Sequence, residues 1–142
     1  MSKNTVKHFY PRISAEGTCD VVEIVYEEDG NVVWLDGVYR AIGNGCDMVE
    51  PVYCSSLDGI EYAVLVDEEG LLRMGATRNE KLSEALRQLA VKKAGITYQE
   101  AVARVPQFYG TGLFAILDET VDEFVGWTSE EEASAFLSEL VS

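Results

Sequence analysis

Apolar residues come in short runs through the first half of this chain and at helical spacing through most of the second. Ala63-Val64-Leu65-Val66, the acidic turn Asp67-Glu68-Glu69-Gly70 and Leu71-Leu72-Arg73-Met74 read as a β-hairpin, with Gly70 free to take a positive φ. Four consecutive apolar residues suit a strand covered by helices better than one with a solvated face. Asp20 to Tyr26 and Asn31 to Leu35, on either side of Glu27-Glu28-Asp29-Gly30, give a second hairpin signal of the same kind. Residues 1–18 read as a frayed start leading to a first strand near Val6-Phe9, halted by Pro11.

Leu35, Val38, Tyr39 and Ile42 then fall at i, i+3, i+4 and i+7, which predicts a short helix that Gly37 weakens and Gly43-Asn44-Gly45 ends. Cys46 to Tyr53 is expected to be extended, with Pro51 marking an edge or a bulge, and Ser55 to Gly59 to turn. Beyond Asn79 the period becomes helical. Leu82, Ala85, Leu86, Leu89, Ala90 and Lys93 mark one helix face, stopped by Gly95. Thr97 and Glu100 form a capping box for a shorter helix before Pro106, and Leu113 to Leu117 is a buried-strand pattern. A second capping box, Thr128-Ser129-Glu130-Glu131, opens a helix whose apolar stripe is Ala133, Phe136, Leu137, Leu140 and Val141. Together these elements predict a single α+β domain over 1–142, a mainly antiparallel sheet with helices packed on one face.

Charge alters this picture more than composition does. The 142 residues carry 25 acidic and 11 basic side chains, a formal net charge of −14. That excess repels free nucleic acid and anionic membranes and favours a basic protein surface as partner. The distribution is uneven: residues 106–142 hold eight acids and no base, residues 16–72 hold fourteen acids and only Arg40, and most of the bases fall in residues 73–105. The absence of an apolar segment of spanning length, the lack of an apolar signal region near the start, and an odd count of cysteines (Cys19, Cys46, Cys54) lead to the expectation of a cytoplasmic protein with free thiols.

Several of these pieces resemble a small uncharacterised domain family encoded by phages and other mobile genetic elements. The resemblance rests on the apolar helix from Leu35 to Ile42, Gly43-Asn44-Gly45, Met48-Val49-Glu50, the strand Val64 to Val66, Asp67-Glu68-Glu69-Gly70 and Asn79. The later strand from Leu113 to Leu117 and the closing helix are also similar. Asn44 departs from the family pattern, which has a second consecutive Gly, and the helical segment from Leu82 to Val105 is extra. The resemblance implies a mobile-element setting and brings no established activity.

Catalytic and metal chemistry find little footing. His8 is the only histidine, so a Ser-His-Asp or Cys-His site would depend on one residue in the poorly patterned start. The cysteines lack zinc spacing and read as small apolar residues. The acidic turns lack the alternating ligand spacing of a calcium loop and read as solvated hairpin tips. No phosphate-loop or dinucleotide fingerprint occurs. The expectation is therefore a non-enzymatic protein with no cofactor and no metal.

What remains is an acidic interaction face, drawn from Asp67, Glu68, Glu69, Asp118, Glu119, Asp122, Glu123, Glu130, Glu131 and Glu132. Displayed on a rigid scaffold, such carboxylates imitate the phosphates of duplex DNA in a basic channel, and so inhibit a nucleic-acid-handling host defence protein. Two other classes compete. One is an adaptor or homodimer anchored by Trp34, Tyr39, Tyr53, Tyr98, Phe108, Tyr109 and Trp127. The other is a binder that sequesters an anionic nucleotide with Arg73, Arg78 and Lys81 beside Gly70 and Gly75.

Overall fold

Strand β1 (Thr5–Ile13) forms a hairpin with β2 (Cys19–Glu27), and helix α1 (Asn31–Ile42) follows. Then come β3 (Val49–Leu57), β4 (Ile60–Asp67), α2 (Glu80–Ala94), α3 (Tyr98–Arg104), β5 (Gly112–Asp118), β6 (Glu123–Val125) and α4 (Glu130–Val141). The structure is a computed structural model that describes residues 5–27, 31–43, 46, 48–69, 77–118 and 123–141; the side chains of 5, 27, 31–35 and 123 lie outside the description. The strands form one antiparallel sheet in the order β2-β1-β5-β4-β3, with β6 also paired to β5. The α+β class is as the sequence predicts.

The layers are fuller than predicted, because both faces of the sheet are covered. Successive side chains of a strand point to opposite faces. Ile13, Tyr62, Val64 and Phe114 meet Leu82, Leu86 and Leu89 of α2 and Phe136, Leu137 and Leu140 of α4. Tyr10, Ile24, Ala63, Leu65, Leu113 and Ala115 meet Val38, Ala41 and Ile42 of α1 on the other side. A single covered face is thus corrected by α1 alone. Its Gly37, which as an isolated helix residue costs ~1 kcal/mol relative to Ala, sits where a Cβ would run into Ile24 of β2. The helix gives up intrinsic propensity for close approach to the sheet.

Three further expectations are corrected. Residues 31–35 belong to α1, and β2 pairs with β1 instead. A short apolar run does not distinguish strand from helix by itself, and here the 3.6-residue period of Val38, Ala41 and Ile42 extends back through it. The N-terminal strand is longer than expected: from Thr5 the described segment is a strand lying between β2 and β5. Pro11 does not halt it. Phe9 exchanges backbone hydrogen bonds with Trp127 at 2.8 Å each way, while Arg12 and Ile13 pair with β5. Pro11 aims its nitrogen to the same side as Phe9, in the gap between those two partners, where no donor is missed. The hairpin partner expected for β4, Leu71 to Met74, lies outside the described residues; the two edges of β4 are held by β3 and β5.

Other local signals are realised closely. β3 is an edge strand whose register shifts between Pro51 and Tyr53, as the proline implies. Its turn to β4 is shorter than expected: Leu57 pairs with Ile60, and Asp58 (φ 50°) and Gly59 (φ 85°) both take the positive values of a type I′ hairpin. The capping box of α4 is shifted by one residue, since Ser129 Oγ accepts the Glu132 amide at 3.1 Å.

One buried side chain joins the layers. Asn79, fully buried, accepts the Leu82 amide through Oδ1 at 3.1 Å and so caps α2. Its Nδ2 donates to the carbonyls of Ile13 at 2.9 Å and Gly110 at 2.8 Å. An aspartate serves equally well as a helix cap but has no N–H for the two carbonyls. Asn79→Asp is therefore expected to lose as much stability as Asn79→Ala, about 3 kcal/mol in each case. Urea denaturation checks this, and an Asp variant as stable as the wild type would reduce Asn79 to a cap.

Candidate functional site

The strand register decides which of the predicted acidic residues can act together. Tyr62 pairs with Ile116 and Leu65 with Leu113. Asp67 and the turn after it therefore lie at one end of the sheet, and Asp118, with the Asp58-Gly59 turn, at the other. At the rise of an antiparallel strand the separation along the sheet is about 24 Å. Among the described residues, one continuous patch containing both tips is not formed.

The individual carboxylates also differ in availability. Asp67 is buried, and its Oδ1 accepts the Glu69 amide at 2.9 Å, so it holds the turn instead of facing solvent. Glu68 and Glu69 are exposed and Asp118 is half-buried. Glu119 and Asp122, with the side chain of Glu123, lie outside the described residues. Glu130, Glu131 and Glu132 are all exposed on the first turn of α4, where the helix dipole favours negative charge. Ser129 holds that turn, and Thr128 donates its hydroxyl to Glu132 at 3.4 Å.

Beside this turn lies a groove of about 370 Å³ between α4 and the β3–β4 hairpin. Leu57, Ile60, Trp127 and Phe136 line its apolar part, and Asp58, Glu132 and Glu139 its acidic part. The aromatic floor is firmly set: the Phe136 ring lies 4.7 Å from Trp127 and 5.3 Å from Tyr62, centroid to centroid, and 5.7 Å from Phe114. Lys93 of α2 places its ammonium 3.1 Å from Glu139 and 3.4 Å from Asp58, and both carboxylates raise its pKa, Glu139 first. Only half of this groove is legible in the sequence. Glu132, Ala135, Phe136 and Glu139 stand at i, i+3, i+4 and i+7 on α4, but nothing in the chain connects them to residues 57–60.

Among the described residues, the members of the competing sets are not brought together. Arg78 is exposed and pairs with Glu80 at 3.2 Å, Lys81 extends along Gly17, and Arg73, Gly70 and Gly75 lie outside the described residues. Of the aromatic anchors, Trp127 and Phe108 are buried core, while exposed Tyr98 donates its hydroxyl to Glu84 at 2.7 Å. The side chain of Trp34 is outside the described residues. Cys19 and Cys46 pack with the core as expected, whereas Cys54 is exposed on β3. Among the described residues no His, Cys, Asp and Glu cluster suited to a metal occurs, and no helix is long and apolar enough to cross a membrane. Comparison with protein-family models, with curated proteins and with solved structures finds no match to this chain.

His8 faces Tyr26 across the β1–β2 pair, with Nδ1 3.0 Å from the Tyr26 hydroxyl. Burial lowers its pKa from 6.5, so the folded state favours the neutral ring. The sign follows: its contribution to stability is complete above the unfolded value of 6.5 and is lost as pH falls through the lower folded value. Because the chain has one histidine, a single imidazole NMR signal reports the titration. Its midpoint is expected below 6.5, and wild type should lose stability relative to His8→Gln as the solution is acidified past that value. A midpoint at or above 6.5 would contradict the burial.

Proposed function

We propose that this chain is a non-enzymatic acidic interaction protein whose α4 end receives a basic protein surface. The partner class is a nucleic-acid-handling protein, and occupation of its phosphate-binding channel would inhibit it, in keeping with the mobile-element setting that the sequence resembles. The observation that carries this reading is the capped first turn of α4: Glu130, Glu131 and Glu132 all stand exposed on a helix packed into the core by Phe136, Leu137 and Leu140. The chain from residue 106 onward has no basic residue to neutralise them. Held on a rigid element, these carboxylates keep their positions without an ordering cost on binding.

The DNA-like face is narrower than ten acids drawn from the whole chain. Asp67 is engaged in its turn and Glu68 and Glu69 belong to the far end of the sheet, so the imitation of phosphates is assigned to Glu130, Glu131 and Glu132 with Asp118 and Asp58 at the same end. Cationic surfaces bind such a patch through long-range attraction that salt screens.

Affinity capture from a nuclease-treated bacterial lysate, with wild type beside the triple variant Glu130→Lys, Glu131→Lys and Glu132→Lys, tests the reading. Wild type should retain proteins that bind DNA or RNA, release them between about 50 and about 500 mM salt, and lose them on charge reversal. Retention of the same proteins by the triple variant would remove the acidic turn from the function.

A further inference from the structure

The groove beside α4 restricts the chemistry of a partner more tightly than acidity does. Its floor of Leu57, Ile60, Trp127 and Phe136 is apolar, its charged walls are Asp58, Glu132 and Glu139, and among the described residues no cation belongs to the lining itself. Asp58, Glu132 and Ala135 are exposed, so the groove opens to solvent along α4 and suits a chain segment laid beside the helix. A volume of about 370 Å³ holds one large apolar side chain together with the stems of its neighbours.

The molecule itself shows what the carboxylates accept. Lys93 already puts an ammonium between Glu139 and Asp58, at 3.1 and 3.4 Å. On the other side of Lys93 the character reverses. A second groove, of about 230 Å³, carries Lys93 and Arg104 beside Tyr53, Ser55 and Ser56. A cationic segment is attracted on the α4 side and repelled on the α3 side.

We infer that the α4 groove receives a basic peptide segment of a protein partner, with an apolar side chain on the Trp127–Phe136 floor. The flanking arginine or lysine groups pair with Glu132, Glu139 and Asp58, in competition with Lys93. The inference rests on the acidic-interaction reading above and gives it a contact point.

Fluorescence anisotropy with three labelled hexapeptides tests it: alternating Arg-Leu, all-Arg, and alternating Glu-Leu. The Arg-Leu peptide should bind about tenfold more tightly than all-Arg, because only it supplies the buried anchor, and Glu-Leu should not bind. Ala135→Arg, at an exposed helix position, blocks the groove and should weaken the Arg-Leu peptide about tenfold. Lys93→Met removes the ammonium that competes for Asp58 and Glu139 and should tighten it about threefold, the scale of an exposed ion pair; circular dichroism checks that both variants fold. The groove is overturned if Arg-Leu fails to bind, if all-Arg binds as tightly, or if neither substitution changes the affinity. Peptide binding that ignores both substitutions but vanishes in Glu130→Lys, Glu131→Lys overturns the groove while leaving the acidic turn in place.

Discussion

The carboxamide of Asn79 is the joint on which the arrangement of layers depends. It fastens the end of β1, the loop before β5 and the first turn of α2 at one buried point. Those three segments come from distant parts of the chain, so no local propensity brings them together. Three hydrogen bonds to backbone groups leave a buried amide almost fully satisfied, which is the condition under which a polar core residue specifies one packing over others. The axis of α2 follows from that point. Leu82, Leu86 and Leu89 then settle on Phe114 and Val64, and the far end of α2 carries Lys93 to Asp58 and Glu139. A cap at one end of the helix thereby sets the electrostatics of a groove at the other.

Coverage of both sheet faces is made possible by unequal side chains. On the α1 face Ala63 and Ala115 are paired on adjacent strands, and Gly37 lets the helix approach Ile24. On the opposite face Val64 pairs with Phe114, and Tyr62 and Phe136 build the aromatic cluster. Arg12 ties the thinner layer to the sheet edge, holding Asp20 through two nitrogens at 2.6 and 2.8 Å while Nη1 donates to the Ala41 carbonyl at 2.9 Å. A cation at the last carbonyls of α1 satisfies acceptors that the helix itself leaves open.

The parts legible in the sequence are those governed by near neighbours. The helical stripes of α2 and α4, the stop at Gly95, the cap at Thr97 and the bulge at Pro51 follow from contacts within a few residues, and they are found, except that Val141 at the end of the α4 stripe is exposed. Val32 to Leu35 misled because an apolar run satisfies either period, and only the tertiary demand for a cover over Tyr10 and Leu113 decides for helix. Pro11 misled because its effect depends on whether a partner faces its nitrogen, which the chain order conceals. Charges counted along the chain join both acidic turns into one face, whereas antiparallel register sends alternate hairpin tips to opposite ends. The groove was hidden for the complementary reason: Leu57 and Trp127 meet only after folding.

The separation of the two acidic ends has an electrostatic consequence. At physiological ionic strength exposed charges are screened over ~8 Å, while the tips lie about 24 Å apart along the sheet. A partner held at the α4 end, as proposed, would therefore feel the three glutamates, Asp58 and Glu139, and almost nothing of Glu68 and Glu69. A net charge of −14 keeps the molecule dispersed and draws cationic surfaces toward it, but attraction spread over both ends does not choose an orientation. Orientation requires a short-range feature present at one end only. The aromatic floor set by Trp127 and Phe136 is such a feature, since apolar contact decays over a single layer of water and salt leaves it intact. On the reading proposed above, charge would bring a basic partner to the surface, and the fixed pair of rings would decide where it stays.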